Sequence, residues 1–426
     1  MERKILKSSA TGDSCIYVKH PSGLDIYICE MNGYSSVEAL FGTKYGSINT
    51  TFKTKEDNDY TTVPEGIAHF LEHKLFENED CDVFQLYAAT GANANAFTSF
   101  DKTCYLFSCS ANYEESLKIL LDFVQKPYFT EASVAKEQGI IGQEIKMCND
   151  NPEWRVFFNL LRGMYHNHPV KIDIAGTVES IAEIDADLLY KCYNTFYNLN
   201  NMVLSIAGNI SADKVLEICD ECLKPCEDKG LETVSPDEPA EIVMAEIHET
   251  QPVGTPIFNI GCKCAPCDGA ERLKKVVCAT LAAEIISDVS SDLYQRLLRN
   301  ELINSTFGTE VFCGDGYFSV IFSGESSDSE RVRSELFAEL KKICSDGIPE
   351  KDFQRIKKTV YGNLVRELNN VEAVANLMIN AAMSDAEPFD MMDILSETTS
   401  AESLEFIRNE LVEERFVMSV VEGAEK

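Results

Sequence analysis

Long apolar segments are missing from this sequence of 426 residues. No stretch reaches the length of about 18 uninterrupted apolar residues that a membrane helix needs, because Glu284 and Asp288 interrupt the best candidate, 276–289. The first seven residues also lack the apolar region of a secretory signal. We therefore expect a cytoplasmic protein that does not insert into a membrane.

Basic residues are few relative to acidic ones. The chain has 38 lysines and arginines against 70 aspartates and glutamates, which gives a formal charge of −32 at pH 7. Such a charge repels nucleic acids and anionic membrane surfaces, and it attracts basic or unfolded cationic peptides. Because the same charge also favours solubility, it does not select a function by itself.

Disulfide bonds are not expected either. Sixteen cysteines without an export signal indicate reduced thiols, most of them small buried hydrophobic residues. Two clusters, 219–226 and 262–267, lack the paired CxxC spacing that makes a structural metal site a strong prediction. A second metal site in one of these clusters stays open as an alternative.

The chain is too long for one compact core, and its segments alternate between strand-like and helix-like patterns. Predicted strands and helices recur in both halves: strands 24–29, 103–108, 202–208, 256–264 and 317–323, and helices 114–125, 131–148, 212–223, 270–288 and 292–300. We expect an α+β fold with two structurally similar domains, 1–225 and 241–426. A polar, proline-containing linker at 226–240 joins them.

Histidine is scarce as well, yet two of the six histidines lie close together. His69 and His73 are four residues apart with Glu72 between them, a pattern expected on the order of 0.01 times by chance in such a chain. On a helix these three positions share one face, so both imidazoles and the carboxylate converge. This is the arrangement of a zinc site with its own general base, as found in metallopeptidases.

A helix start is predicted just before this motif. Thr62 and Glu65 have the spacing of a capping box, and Pro64 suits the first helical turn.

A catalytic zinc ion needs a third protein ligand from elsewhere in the chain. The predicted helix 131–148 carries Glu137 and Glu144, which lie two turns apart on one face. Periodicity does not choose between them, and a solvated helix face is the alternative for either carboxylate.

These residues, together with the strings at 91–99, 168–177 and 176–181, resemble the insulinase–pitrilysin family of inverzincin zinc metallopeptidases, and within it the bacterial YmfH-like group of processing proteases. The resemblance spans nearly all of the first half of the chain. It implies that Glu144 is the third zinc ligand and Glu137 a supporting acidic residue. It further implies one zinc ion per chain and Glu72 as the general base that acts on the zinc-bound water.

The resemblance also implies where substrate binds. Family members add the peptide substrate as a strand to a sheet edge, and the matching positions here are Asn95, Ala96 and Phe97. A buried strand without a ligand is the alternative.

The second half departs from the family pattern. Active members also use an arginine and a tyrosine seven residues apart to bind substrate and stabilise the oxyanion. Arg299 fits the arginine, whereas Thr306 stands at the tyrosine position and is too short to reach as a phenol does. Full-length members enclose a chamber from four α+β units, and this chain has length for only two. A heterodimer with a homologous chain that carries the Arg/Tyr pair is therefore expected, and a homodimer with Arg299 acting across the interface is the alternative.

The function expected from this resemblance is that of a zinc-dependent endopeptidase, or of its zinc-bearing subunit, which hydrolyses short or unfolded peptides. A non-catalytic peptide-binding or scaffold subunit of an insulinase-type heterodimer is the alternative.

Overall fold

A computed structural model describes residues 2–79 and 82–424. The strands are β1 Lys4–Lys7, β2 Ser14–Lys19, β3 Asp25–Glu30, β4 Val37–Thr43, β5 Thr51–Lys53, β6 Thr61–Thr62, β7 Asn93–Thr98, β8 Thr103–Cys109, β9 Met202–Gly208, β10 Glu232–Thr233, β11 Glu246–Thr250, β12 Ile257–Lys263, β13 Gly308–Gly314, β14 Tyr317–Glu325 and β15 Phe416–Glu422.

The helices are α1 Ile67–Leu75, α2 Val83–Thr90, α3 Tyr113–Val124, α4 Glu131–Asn149, α5 Pro152–Met164, α6 Val178–Ile181, α7 Ala186–Phe196, α8 Ala212–Cys222, α9 Gly269–Ser287, α10 Asp292–Arg299, α11 Ser329–Asp346, α12 Glu350–Glu367, α13 Val371–Met383, α14 Asp390–Glu397 and α15 Ser400–Glu410. Each strand and helix that the sequence predicted is present, with bounds shifted by a few residues.

The chain forms two compact units. Unit 1 contains the residues up to Ile145 together with Asp173–Val234 and Leu364–Asp390. Unit 2 contains Lys146–Ile172, Ser235–Asn363 and the residues from Met391 onwards. The passage from Val234 to Ser235 lies within the predicted linker 226–240. Unlike the predicted domains 1–225 and 241–426, which follow one another along the chain, each unit takes in a segment from the other half.

The sheets of the two units share a set of five strands with the same topology, so the prediction of two similar α+β domains is confirmed. The sheet of unit 1 has the order β1-β2-β3-β9-β4-β8-β7, and that of unit 2 has the order β11-β15-β12-β14-β13. In each, the first strand of the shared set is parallel to the last one (β3 to β9, β11 to β15), and the other neighbours are antiparallel. In spatial order, the strands β3, β9, β4, β8 and β7 of unit 1 therefore correspond to β11, β15, β12, β14 and β13 of unit 2.

A helix from the other half of the chain covers one face of each sheet. In unit 1, α13 packs on β9 and β4, and a Cβ added at Gly42 of β4 would lie 2.9 Å from Met383 Cε. In unit 2, α5 packs on β15 and β12, and a Cβ at Gly261 of β12 would lie 2.4 Å from Met164 Cε. Glycine at both positions lets a helix approach the sheet closely.

The predicted helix start at Thr62 and Glu65 is wrong. Thr62 belongs to strand β6, and α1 begins only at Ile67 after Gly66, whose φ of 86° is left-handed. Gly66 has a left-handed backbone conformation, which other residues adopt only with strain. The helix therefore begins after this glycine and not at the capping pattern of Thr62 and Glu65.

Candidate active site

Helix α1 presents the histidine motif on its polar face. Ile67, Phe70 and Leu71 point into the core of unit 1 and fix the rotation of the helix. His69, Glu72 and His73 consequently share the other side, and the two imidazole centroids lie 4.6 Å apart. The convergence predicted from the spacing of these residues is present.

The third donor comes from helix α4. Glu144 Oε1 lies 3.5 Å from His69 Nε2, and Glu144 Oε2 lies 3.5 Å from His73 Nε2. The ligand atoms of these three residues all lie within 4.8 Å of one another. Helix α4 thus brings Glu144, and not Glu137, against both Nε2 atoms.

Glu137 contacts the opposite nitrogen of His73. Its Oε1 lies 3.0 Å from His73 Nδ1. Since an ionised carboxylate can only accept, Nδ1 carries the proton and Nε2 keeps its lone pair for a ligand. A carboxylate that orients a metal-binding histidine in this way is a common feature of zinc sites.

The charges of the site depend on these contacts. The hydrogen bond with His73 is the main cause that lowers the pKa of Glu137, and the contact with His69, whose Nε2 lies 3.5 Å away, is the main cause that lowers the pKa of Glu144. Burial alone would lower the pKa of His73, but the bond to Glu137 and the nearby carboxylates of Glu72 and Glu144 raise it. Both glutamates are therefore ionised near neutral pH.

The donor set fits a zinc ion. Two imidazole nitrogens and one carboxylate with an open fourth position are ligands that catalytic zinc takes, and ligand atoms about 2.1 Å from a tetrahedral zinc lie about 3.4 Å apart. The distances of 3.5 Å from Glu144 to each histidine match that spacing. The two histidines are held differently. Nδ1 of His73 contacts Glu137, whereas Nδ1 of His69 is buried without a hydrogen-bond partner among the described residues.

Glu72 is held by a residue to which the sequence assigned no role. Thr98 Oγ1 donates a hydrogen bond of 2.6 Å to Glu72 Oε2. Thr98 is the last residue of β7, and it follows directly on the predicted substrate residues. Its only signal in the sequence was membership of the string at 91–99.

The predicted substrate residues lie on a terminal strand. Asn95, Ala96 and Phe97 belong to β7, which ends the seven-stranded sheet beside β8 and packs against α1. Asn95 is exposed, and Ala96 and Phe97 are half-buried. The structure thus brings the strand and the histidine helix together in one unit.

The segment from Ala175 to Ile184 connects the two helices of the site. Ser180 Oγ donates to the carbonyl of Glu65 at 2.9 Å, immediately before α1. On the other side, Gln138 Nε2 of α4 donates to the carbonyls of Ile181 and Ile184 at 3.2 and 3.0 Å. Residues 176–181 contribute to the family resemblance, but no pattern in the sequence indicates that this segment holds both helices.

Arg299 and Thr306 lie in unit 2. Arg299 ends α10, is exposed, and donates from Nε to the carbonyl of Gln295 at 2.9 Å. The Thr306 hydroxyl donates to Asn304 Oδ1 at 2.6 Å and closes a turn. The substrate role predicted for Arg299 stays a prediction.

A second group with metal-binding residue types is an ion-pair network. Glu246, His248 and Glu330 also bring ligand atoms within 4.8 Å of one another, but all three are exposed. Arg333 pairs with both glutamates and already supplies a cation. In the described part of the chain, neither cysteine cluster forms a comparable group.

The chain matches two adjacent family models. Residues 56–178 match the model described as insulinase (peptidase family M16), and residues 183–360 match the model described as the peptidase M16 inactive domain. The chain belongs to the insulinase family. It is 37% identical over 422 residues to the uncharacterized zinc protease YmfH of Bacillus subtilis (strain 168), with 96% of each chain covered. The resemblance to the YmfH-like group is thereby confirmed.

Other proteins are similar to this chain in sequence or in fold. The uncharacterized zinc protease YmxG of Bacillus subtilis (strain 168) is 27% identical over 317 residues, which are 72% of this chain and 76% of YmxG. An M16-like peptidase from Alicyclobacillus acidocaldarius is 31% identical, with a TM-score of 0.92 over 99% of this chain and 98% of that one. Pitrilysin shares only the fold, at 13% identity and a TM-score of 0.78, and this chain covers 47% of it.

No helix in the described ranges, 2–79 and 82–424, is long and apolar enough to cross a membrane.

Proposed function

We propose that this insulinase-family protein is a zinc-dependent endopeptidase, or the zinc-bearing subunit of one, that acts on short or unfolded peptides. The observation that carries the proposal is the convergence of His69, His73 and Glu144, with Glu72 on the same face of α1. A group of this composition has little use in a scaffold, because it places two imidazoles beside partly buried carboxylates. The relatives named as zinc proteases support the same reading.

The residues of the site divide the chemistry between them. A zinc ion held by His69, His73 and Glu144, one per chain, would lower the pKa of water at its open position and polarise the peptide carbonyl. Glu137 keeps the proton of His73 on Nδ1, so that Nε2 stays available. Glu72 takes the proton of the attacking water and then delivers it to the nitrogen of the leaving amine.

The substrate is proposed to bind along β7. A terminal strand has backbone N–H and C=O groups that an extended peptide can pair with, so recognition needs little sequence specificity. Asn95, Ala96 and Phe97 are the residues we expect beside the peptide, and the small Ala96 allows its backbone to approach. With a net charge of −32, the protein favours basic peptides over acidic ones.

A partner chain is proposed to complete the active site. This chain covers 47% of pitrilysin, and Thr306 offers no phenol for an oxyanion. A homologous chain with an Arg/Tyr pair and no HxxEH motif would supply the missing donors, and co-purification from the native cell tests for it.

For the homodimer, mixing the Glu72→Gln and Arg299→Ala proteins should restore activity, because one site of each mixed dimer is intact. If the mixture stays inactive, Arg299 does not act across the interface of a homodimer.

The alternative is a non-catalytic peptide-binding subunit. The observation that favours it is the match of residues 183–360 to a model described as an inactive domain. Hydrolysis of a fluorogenic peptide library by the zinc-loaded protein separates the two functions. We expect the wild type and a Glu115→Gln control on the exposed face of α3 to cleave, and Glu72→Gln to keep zinc but lose at least about a hundredfold in kcat. Peptide binding without cleavage by the wild type, alone and with its partner, would favour the alternative.

A further inference from the structure

The hydroxyl of Thr98 has one strong acceptor. It lies 2.6 Å from Glu72 Oε2 and 3.3 Å from the hydroxyl of Thr103. Thr103 donates its own proton to the carbonyl of Tyr45 at 2.8 Å, so it has none left for Thr98. Since an ionised carboxylate can only accept, the proton between Thr98 and Glu72 belongs to the threonine.

This bond makes the two oxygens of Glu72 unequal. Oε2 is held by Thr98, whereas Oε1 has no hydrogen-bond partner among the described residues. The terminal torsion of a glutamate has a broad energy profile, so a carboxylate without such a bond samples many orientations. A hydrogen bond to an ionised acceptor is among the stronger ones in proteins and restricts that rotation.

We infer that Thr98 is a positioning residue that fixes the carboxylate of Glu72 through Oε2 and leaves Oε1 to receive the proton of the attacking water. The inference rests on the proposed function of Glu72 as general base. It also ties the base to the proposed substrate strand, because Thr98 ends β7 immediately after Phe97. A base anchored to that strand keeps its place relative to a peptide that pairs along the strand.

The test compares Thr98→Val, which keeps the branched shape and loses the hydroxyl, with Thr98→Ser, which keeps the hydroxyl. We expect kcat of Thr98→Val to fall about tenfold to a hundredfold with KM and zinc content unchanged, and Thr98→Ser to stay close to wild type. Crystal structures of both variants give a second readout that does not depend on activity. The Glu72 carboxylate should rotate away in the valine variant and keep its orientation in the serine variant.

The outcomes separate this inference from the proposed function. If wild-type protein with zinc and its partner cleaves no peptide, the proposed function fails, and the orientation of Glu72 in the crystal structures still decides whether Thr98 positions it. Active protein in which Thr98→Val keeps full kcat, or an unmoved Glu72 carboxylate, would overturn the inference alone. If the valine variant does not fold by circular dichroism, Thr98→Ala replaces it with the same expected loss.

Discussion

Replacing Glu144 by glutamine should weaken zinc binding far more than the same change at Glu137. Both carboxylates lie on α4, and both have a lowered pKa because of a histidine. Glu144 faces the Nε2 atoms of His69 and His73 at 3.5 Å, so its substitution removes a charged donor from the ligand set itself. Of the two histidines, Glu137 contacts His73, through Nδ1 at 3.0 Å, so its substitution loosens the orientation of one ligand.

The magnitudes follow from these positions. Loss of a carboxylate that orients a metal-binding histidine typically costs about tenfold to a hundredfold in metal affinity, which is the expectation for Glu137→Gln. For Glu144→Gln we expect a loss greater than about a hundredfold, because one of three protein ligands loses its charge. Competition with a zinc-selective fluorescent chelator at pH 7 measures both affinities on one scale.

Glu131→Gln serves as the control for this comparison. Glu131 is exposed in the first turn of α4, so it shares the helix but not the site. We expect its zinc affinity to equal that of the wild type. Equal losses for the variants at Glu137 and Glu144, or a larger loss at Glu137, would refute the assignment of Glu144 as the ligand.

Two further predictions concern stability. Burial alone would raise the pKa of Glu238, but hydrogen bonds from Lys263 and three backbone N–H groups lower it from 4.5 to about 2. The stabilisation from Glu238 is therefore present above pH 4.5 and is lost as the pH falls towards 2. Glu238→Gln should lower the free energy of unfolding, measured by urea titration, by about 2 to 3 kcal/mol at pH 7 and by much less at pH 3. Glu227→Gln serves as an exposed control, and an equal loss at both pH values would contradict this prediction. Gly66→Ala should lower the melting temperature more than Gly12→Ala. The two glycines have similar φ values, 86° and 83°, so both variants carry the same backbone strain, but only at Gly66 would a Cβ lie 2.4 Å from a backbone oxygen. Equal shifts in melting temperature would contradict the close approach.

The individual elements of the fold were predictable because their signals are local. Helix α3, for example, has apolar residues at helical spacing, Leu117, Leu120, Leu121 and Val124, and α4 ends at Asn149, where an Asn-Asp-Asn-Pro sequence begins. The start of α1 was not predictable in the same way. A Cβ at Gly66 would lie 2.4 Å from the carbonyl oxygen of Ala175, so the need for glycine there involves a residue more than a hundred positions away in the chain.

The sequence also did not predict that α5 and α13 each pack on a sheet from the other half of the chain. Helices α5 and α13 each have an apolar face that any exposed sheet could cover. A glycine on the facing strand, Gly261 for α5 and Gly42 for α13, leaves room for each helix to approach its sheet. Such complementarity involves residues far apart in the chain and leaves no periodic pattern.

The candidate site divides in the same way. The spacing of His69, Glu72 and His73 predicts their convergence, since all three lie on one helix. Between Glu137 and Glu144, helical periodicity gave no choice, because the orientation of α4 relative to α1 decides which carboxylate faces the histidines. Thr98 was missed for a related reason: a strand threonine has no sequence signal for the acceptor of its hydroxyl.

The most direct test of the proposed zinc site is anomalous diffraction from crystals of the zinc-loaded protein. Data collected on both sides of the zinc absorption edge locate the ion without reference to activity. We expect one strong anomalous peak per chain, in contact with His69 Nε2, His73 Nε2 and a carboxylate oxygen of Glu144. No peak at these three residues, or a peak at Glu137 in place of Glu144, would contradict it.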